Sequence, residues 1–165
     1  MRVGEVSQKS FESGRIPSMN PKNFKSTKRF TGFPCTHRQW KAESHCRFVH
    51  GYSREFYFEF EATELTKEGW VVDFGGLKEV KAFLNHVFDH TFLVSQDDPQ
   101  LENFRKLDKE GVIQLRVLPN PGMEGSALYV YEEASKILKK LYGDRAWISL
   151  VQVKENDNNS AIYTP

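Results

Sequence analysis

The run from Ser53 to Glu64 constrains the fold more than any other part of the chain, because apolar and polar residues alternate along it. Phe56, Phe58, Phe60 and Ala62 fall on one side, and Tyr57, Glu59, Glu61 and Thr63 on the other. This is the period-two pattern of a half-buried strand. Lys67-Glu68-Gly69 supplies a turn, and Trp70-Val71-Val72 begins a second extended piece. Asp73 then stands as the N-cap of an amphipathic helix over 75–88, in which Leu77, Val80, Phe83, Leu84, Val87 and Phe88 recur at helical spacing. Asp97-Asp98-Pro99 caps a shorter helix through Leu107, ended by Gly111. Val112 to Leu118 reads as a strand and Pro119-Asn120-Pro121-Gly122 as a turn. A long helix over 124–141 ends at Gly143, and the apolar run Ala146 to Lys154 is a final, well-buried strand. Strands and helices in this order predict an α+β fold, with helices packed on one face of an antiparallel sheet.

At 165 residues the chain has the size of one domain. Residues 1–28 are polar and without apolar period, so they read as a flexible N-terminal arm, and residues 29–165 as the single folded domain. A formal charge of +1 gives no overall electrostatic reason to bind nucleic acid or an anionic membrane. No apolar run approaches the ~20 residues that a membrane-spanning helix needs. Met1 to Ser10 lack the apolar stretch of a secretory signal, and two cysteines are too few for a disulfide scaffold. A cytoplasmic location with free thiols is the expectation.

Chemistry-bearing residues cluster. All five histidines lie between residues 37 and 90, and His37, His45 and His50 share a short stretch with Cys35 and Cys46. Imidazole and thiolate are the side chains that ligate zinc near neutral pH, but the spacing has no paired Cys-x-x-Cys. A catalytic ion needs three protein ligands and an open position, so His37 and His50 with one further donor would suffice. Asp89-His90 follows the first long helix, and a carboxylate beside an imidazole can fix its tautomer for acid–base work. Glu155 ends the last apolar strand, where a carboxylate can accept two hydrogen bonds from an amidine-like edge.

Taken in order, these pieces resemble the 6-pyruvoyl-tetrahydropterin synthase and 6-carboxy-tetrahydropterin synthase family. Phe33-Pro34-Cys35-Thr36-His37 matches its Phe-x-x-x-His segment. Cys46, separated by three residues from His50-Gly51-Tyr52, matches a Cys before a His-Gly-His. Gly69 to Phe74, Phe88-Asp89-His90, Pro121 to Glu124, Val153-Lys154-Glu155 and Ile162-Tyr163 match later motifs. The resemblance implies a tunnelling fold assembling into a ring-shaped oligomer, a homohexamer built as a dimer of trimers, with active sites between subunits. It implies a zinc-dependent lyase acting on a pterin triphosphate, 7,8-dihydroneopterin triphosphate. Zinc would be held by His37 and His50, Cys46 would abstract a proton, and Asp89 and His90 would act on the opposite side of the substrate side chain. Glu155, assisted by Glu124, would hold the pterin amidine edge.

Two positions depart from the family pattern. Tyr52 stands where the third zinc-ligating His is expected, so the third ligand is Tyr52 itself or a substitute, His45 or Cys35, unless the metal is lost. Gly122 stands where a Thr would donate a hydrogen bond. The overall resemblance favours the 6-carboxy branch, which feeds 7-deazaguanine (queuosine-type) synthesis, over the 6-pyruvoyl branch. A non-catalytic pterin-binding relative is the alternative that Tyr52 raises.

Overall fold

The computed structural model describes residues 23–165. Strand β1 spans Phe24–His37 and β2 His50–Ala62, and the two pair antiparallel as a long hairpin. Helix α1 (Lys78–Phe88) leads to β3 (Thr91–Ser95), then α2 (Leu101–Lys109), β4 (Leu115–Leu118), α3 (Met123–Tyr142), β5 (Ala146–Lys154) and β6 (Ser160–Tyr163). The six strands form one sheet in the order β4-β3-β1-β2-β5-β6.

The α+β class holds, and the sheet is mixed rather than antiparallel throughout. β1 pairs parallel with β3, and β3 parallel with β4. The chain leaves β2 for α1 and re-enters the sheet beside β1, a crossover that produces a parallel neighbour instead of a hairpin. Among the described residues no helix is long and apolar enough to cross a membrane.

Helices α1 and α3 cover one face. Val80, Leu84, Val87 and Phe88 of α1, with Ala127, Val130, Ala134 and Leu138 of α3, close over Phe56, Phe58, Phe60 and Ala62. Each phenylalanine is fully buried, worth about 1.5–3 kcal/mol of transfer free energy apiece. The opposite face of the β1–β2 hairpin is ionic. Lys25 meets Glu59 at 2.8 Å and Glu61 at 2.7 Å, and Arg29 meets Glu55 at 3.2 Å. Helix α2 lies apart from the other two and covers the far end of the sheet, where Phe104 meets Phe92 edge-on at 4.7 Å.

The predicted arm of residues 1–28 lies outside the described residues as far as residue 22. Its last five positions, 24–28, belong to β1, so the domain begins before Arg29. Those positions are held by cross-strand pairing and charge rather than by apolar periodicity: Phe24 pairs with Ala62 and Ser26 with Phe60. Asp73 caps as predicted, its side chain accepting from the Gly75 N–H at 2.8 Å. It caps a one-turn 3-10 helix, Phe74–Leu77, that runs into α1. Two predicted extended pieces shrink. Only Leu115–Leu118 of the 112–118 run joins the sheet, and Trp70-Val71-Val72 is a bent loop that buries Val71 and Val72.

Candidate metal centre and active site

The site forms at the open end of the β1–β2 hairpin, and a bulge decides its geometry. Phe30 pairs with Phe56 and Phe33 with Arg54, so β1 carries one residue more than β2 across this step. Gly32, at φ 84°, supplies the left-handed backbone that a bulge of this kind uses. Before it, Phe24, Ser26, Lys28 and Phe30 pair with residues of the helix-covered face; after it, Phe33, Cys35 and His37 do. The bulge thus turns His37 inward, directly opposite His50, with ring centroids 4.5 Å apart. Between His50 and Tyr52 the two backbones approach closely. A methyl group on Gly51 would stand 2.7 Å from the Cys35 carbonyl oxygen, so only glycine fits.

Glu155 reaches the histidines from just past the end of β5. Ligand atoms of His37, His50 and Glu155 all lie within 4.8 Å of one another, the only such cluster of His, Cys, Asp or Glu among the described residues. Burial, with Arg54 and His50 nearby, pushes the His37 imidazole down to about 3, so it is neutral near pH 7. Its Nδ1 is buried and has no hydrogen-bond partner among the described residues. His50 Nδ1 lies 2.7 Å from the Phe48 carbonyl oxygen, so that nitrogen carries the proton and Nε2 is left as the lone-pair donor. A carbonyl behind the ring is the usual outer support of a metal-ligating histidine. The orphaned Nδ1, the oriented His50 and one carboxylate together fit a divalent transition-metal ion with a position left open.

None of the other predicted His, Cys, Asp or Glu residues joins this cluster. Tyr52 faces His50 edge-on at 5.8 Å and is partly exposed. Cys35, opposite Tyr52, is buried, and burial raises its thiol. His45 is exposed on a one-turn 3-10 helix, His45–Arg47. Neither Cys35 nor His45 belongs to the His37–His50–Glu155 cluster. Cys46 sits in the same short helix, part-buried, in the loop that joins β1 to β2. Asp89 and His90 form a dyad, Oδ1 to Nδ1 2.6 Å, at the turn before β3. His90 has φ 55°, the sole positive value at a non-glycine among the described residues, and its N–H donates to the Pro34 carbonyl at 2.7 Å. His90 lines a cleft of about 610 Å³ with Cys35, Thr36, Tyr52, Ser53 and Gln114; Cys46 does not line it. Glu124 is exposed in the first turn of α3.

Arg54 is the residue that sequence reasoning missed. It is 1% exposed, donates to Ser126 Oγ at 2.7 Å and to the Pro121 carbonyl at 2.8 Å, and exerts its charge on Cys35, His37 and Glu155. The signal was present. Carried two residues back from Phe56, the alternation puts a lone arginine on the apolar face of β2.

Solved structures share this architecture. A 6-pyruvoyl tetrahydropterin synthase of Plasmodium falciparum superposes with a TM-score of 0.63 at 17% identity, over 86% of this chain and 98% of that one. An uncharacterized protein of Wolinella succinogenes superposes with a TM-score of 0.74 at 21% identity, over 87% of this chain and 98% of that one. The fold is therefore that of the tetrahydropterin synthases. The family model described as 6-pyruvoyl tetrahydropterin synthase matches residues 26–165, and the chain belongs to that family of pterin-forming lyases. Among curated relatives, a Rickettsia felis protein named 6-carboxy-5,6,7,8-tetrahydropterin synthase is 28% identical over 137 residues, covering 81% of this chain and 95% of that one.

Proposed function

We propose that this chain is a zinc-dependent lyase of the 6-carboxy-5,6,7,8-tetrahydropterin synthase type, acting on 7,8-dihydroneopterin triphosphate in 7-deazaguanine (queuosine-type) synthesis. The observation that carries the reading is the meeting of His37, His50 and Glu155 at the hairpin mouth of a chain of this family. Curated relatives bearing the 6-carboxy name favour that branch over the 6-pyruvoyl one. Two histidines and a glutamate are a ligand set of catalytic zinc sites, which leave the fourth position for water or substrate. On this reading Glu155 is the third ligand, taking the part that the family gives to a histidine where this chain has Tyr52. Bound zinc would polarise the side-chain oxygens of the substrate and acidify the neighbouring C–H.

The residues divide the remaining work. Cys46 takes the proton from the activated carbon. The Asp89 carboxylate holds His90 Nδ1, leaving Nε2 to exchange a proton on the opposite side of the side chain. On this reading base and dyad meet across a subunit boundary of the homohexamer that the resemblance implies, and a His90 cleft that Cys46 does not line supports it. Among the described residues the outer edges of β4 and β6, at the two ends of the sheet, are unpaired and leave room for such an assembly.

The test is product analysis. Protein purified without chelators and given the triphosphate should carry about one zinc per chain and release the 6-carboxy product, identified by mass. The 6-pyruvoyl product would move the chain to the other branch, and no turnover with zinc supplied would sink the enzyme reading. Tyr52 at a ligand position favours one second reading, a pterin-binding relative that has lost its chemistry. Bound pterin without zinc or turnover would establish that instead.

A further inference from the structure

Gln39 begins the loop that carries Cys46, two residues beyond His37, and its backbone is fixed at both groups. Its N–H donates to the Cys46 carbonyl at 2.9 Å, and its own carbonyl accepts from the Ala42 N–H at 2.9 Å. The side chain is half-buried and lies against Gly122, the residue that opens α3. A methyl group built on Gly122 would overlap the Gln39 amide nitrogen and stand 3.2 Å from the carbon that bears it.

Gly122 has φ −65° and ψ 175°, an extended conformation that any residue adopts. Its backbone therefore gives no reason for glycine; the space taken by the Gln39 amide does. The acceptor beside that amide has another donor: Asn120 Oδ1 accepts from the Gly122 N–H at 3.0 Å. No hydrogen bond from the Gln39 side chain is formed among the described residues, so a group with two donors and an acceptor is left unspent.

We propose that Gln39 reads the heterocycle edge of the substrate, its amide standing in for the hydroxyl that a threonine at position 122 would present. The proposal rests on the pterin reading above. A primary amide offers donor and acceptor side by side, which complements the carbonyl, ring N–H and amino group along the lactam–amidine edge of a pterin. Glu124, two residues after Gly122 and exposed in the first turn of α3, adds an acceptor on the same helix end. With Glu155 beside the histidines, Gln39 and Glu124 are the groups left to grip that edge. Glycine at 122 and glutamine at 39 are then one matched pair.

The test is equilibrium binding of neopterin and of its 2-oxo analogue, followed by ligand fluorescence, with melting temperature as the control. The wild type should prefer neopterin. Gln39→Ala should lower neopterin affinity roughly tenfold, the value of one well-placed hydrogen bond, and narrow the preference over the analogue. Gly122→Ala should do the same by displacing the amide, because the far end of a flexible side chain yields before the backbone does. Gln39→Ala with Gly122→Thr should regain part of the loss. All variants should melt near the wild type, since the amide holds nothing in the fold. If the wild type binds neopterin and Gln39→Ala binds it equally well with the same preference, the assignment of Gln39 is overturned while the pterin reading stands. If the wild type binds no pterin, the functional reading itself has failed.

Discussion

Gly32 decides which way His37 points, and this single residue links backbone strain to the metal centre. A methyl group there meets nothing within 4 Å, so Gly32→Ala tests conformation alone. At φ 84° the substitution should cost about 1–2 kcal/mol in chemical denaturation. At Glu155 two roles separate cleanly. If it ligates the ion, Glu155→Gln should lower metal affinity roughly tenfold or more, seen as metal content after dialysis. A variant that keeps its metal and loses only pterin affinity would return Glu155 to the amidine edge. The buried imidazole of His37 has a folded value near 3, against about 6.5 unfolded. The unfolded chain therefore binds the extra proton first. Chelated protein should keep its stability above pH 6.5 and lose about 1.4 kcal/mol per pH unit as the pH falls from there toward 3. His37→Gln should flatten that slope in urea titrations.

The loop between β1 and β2 carries Cys46, the proposed base, and the turn after β3 pins it. Asp97 accepts from Trp40 Nε1 at 3.1 Å, Lys41 Nζ at 2.5 Å and Ser95 Oγ at 2.5 Å, while Arg38 meets the buried Asp98 at 2.9 Å. Lys41, then Ser95 and Trp40, hold the Asp97 carboxyl well below the usual carboxylate range. Its depressed value means the anchorage is complete above the ordinary carboxylate range and is lost only in strong acid. Asp97→Ala should free the loop, so that alkylation of Cys46 near neutral pH speeds up several-fold while the overall melting temperature moves little. A rate equal to the wild type would show that Asp97 does not hold the loop. Elements with one clean period were legible in the sequence: β2 from its phenylalanines, α3 from its apolar stripe, and β5 over its whole length. β1 was not, because the bulge shifts its inward positions from even to odd numbers and breaks the alternation. β3 was not either. All five of its residues are buried, on both faces, so Thr91 to Ser95 has no alternation to read. In the site, residue types and order pointed to His37, His50, Asp89 and His90. The partnership of Glu155 with the histidines depends on sheet register across β1, β2 and β5, which no local pattern carries.

At the scale of the whole molecule, the parts of the proposed active site do not line one cleft of the single chain. The dyad faces a cleft between β1, β2 and the segment before β4, and Cys46 sits on the far loop outside it. Among the described residues both ends of the sheet are open edges, and the helix-free face of the hairpin carries compensated charge. Association through strand edges would leave that charged face unburied, and in the proposed assembly the loop of one copy meets the cleft of the next. Subunit complementation tests this directly. Cys46→Ala should be inactive because it lacks the base, and His90→Ala because it lacks the dyad, each as an intact oligomer. Co-expression of the two should restore part of the activity, since some interfaces then pair an intact Cys46 with an intact Asp89–His90. The restored activity should vanish when the two variants are purified separately and mixed without subunit exchange. Mixed oligomers with no activity at all would place both groups of each site in the same protomer, and the loop would then have to move to reach the dyad.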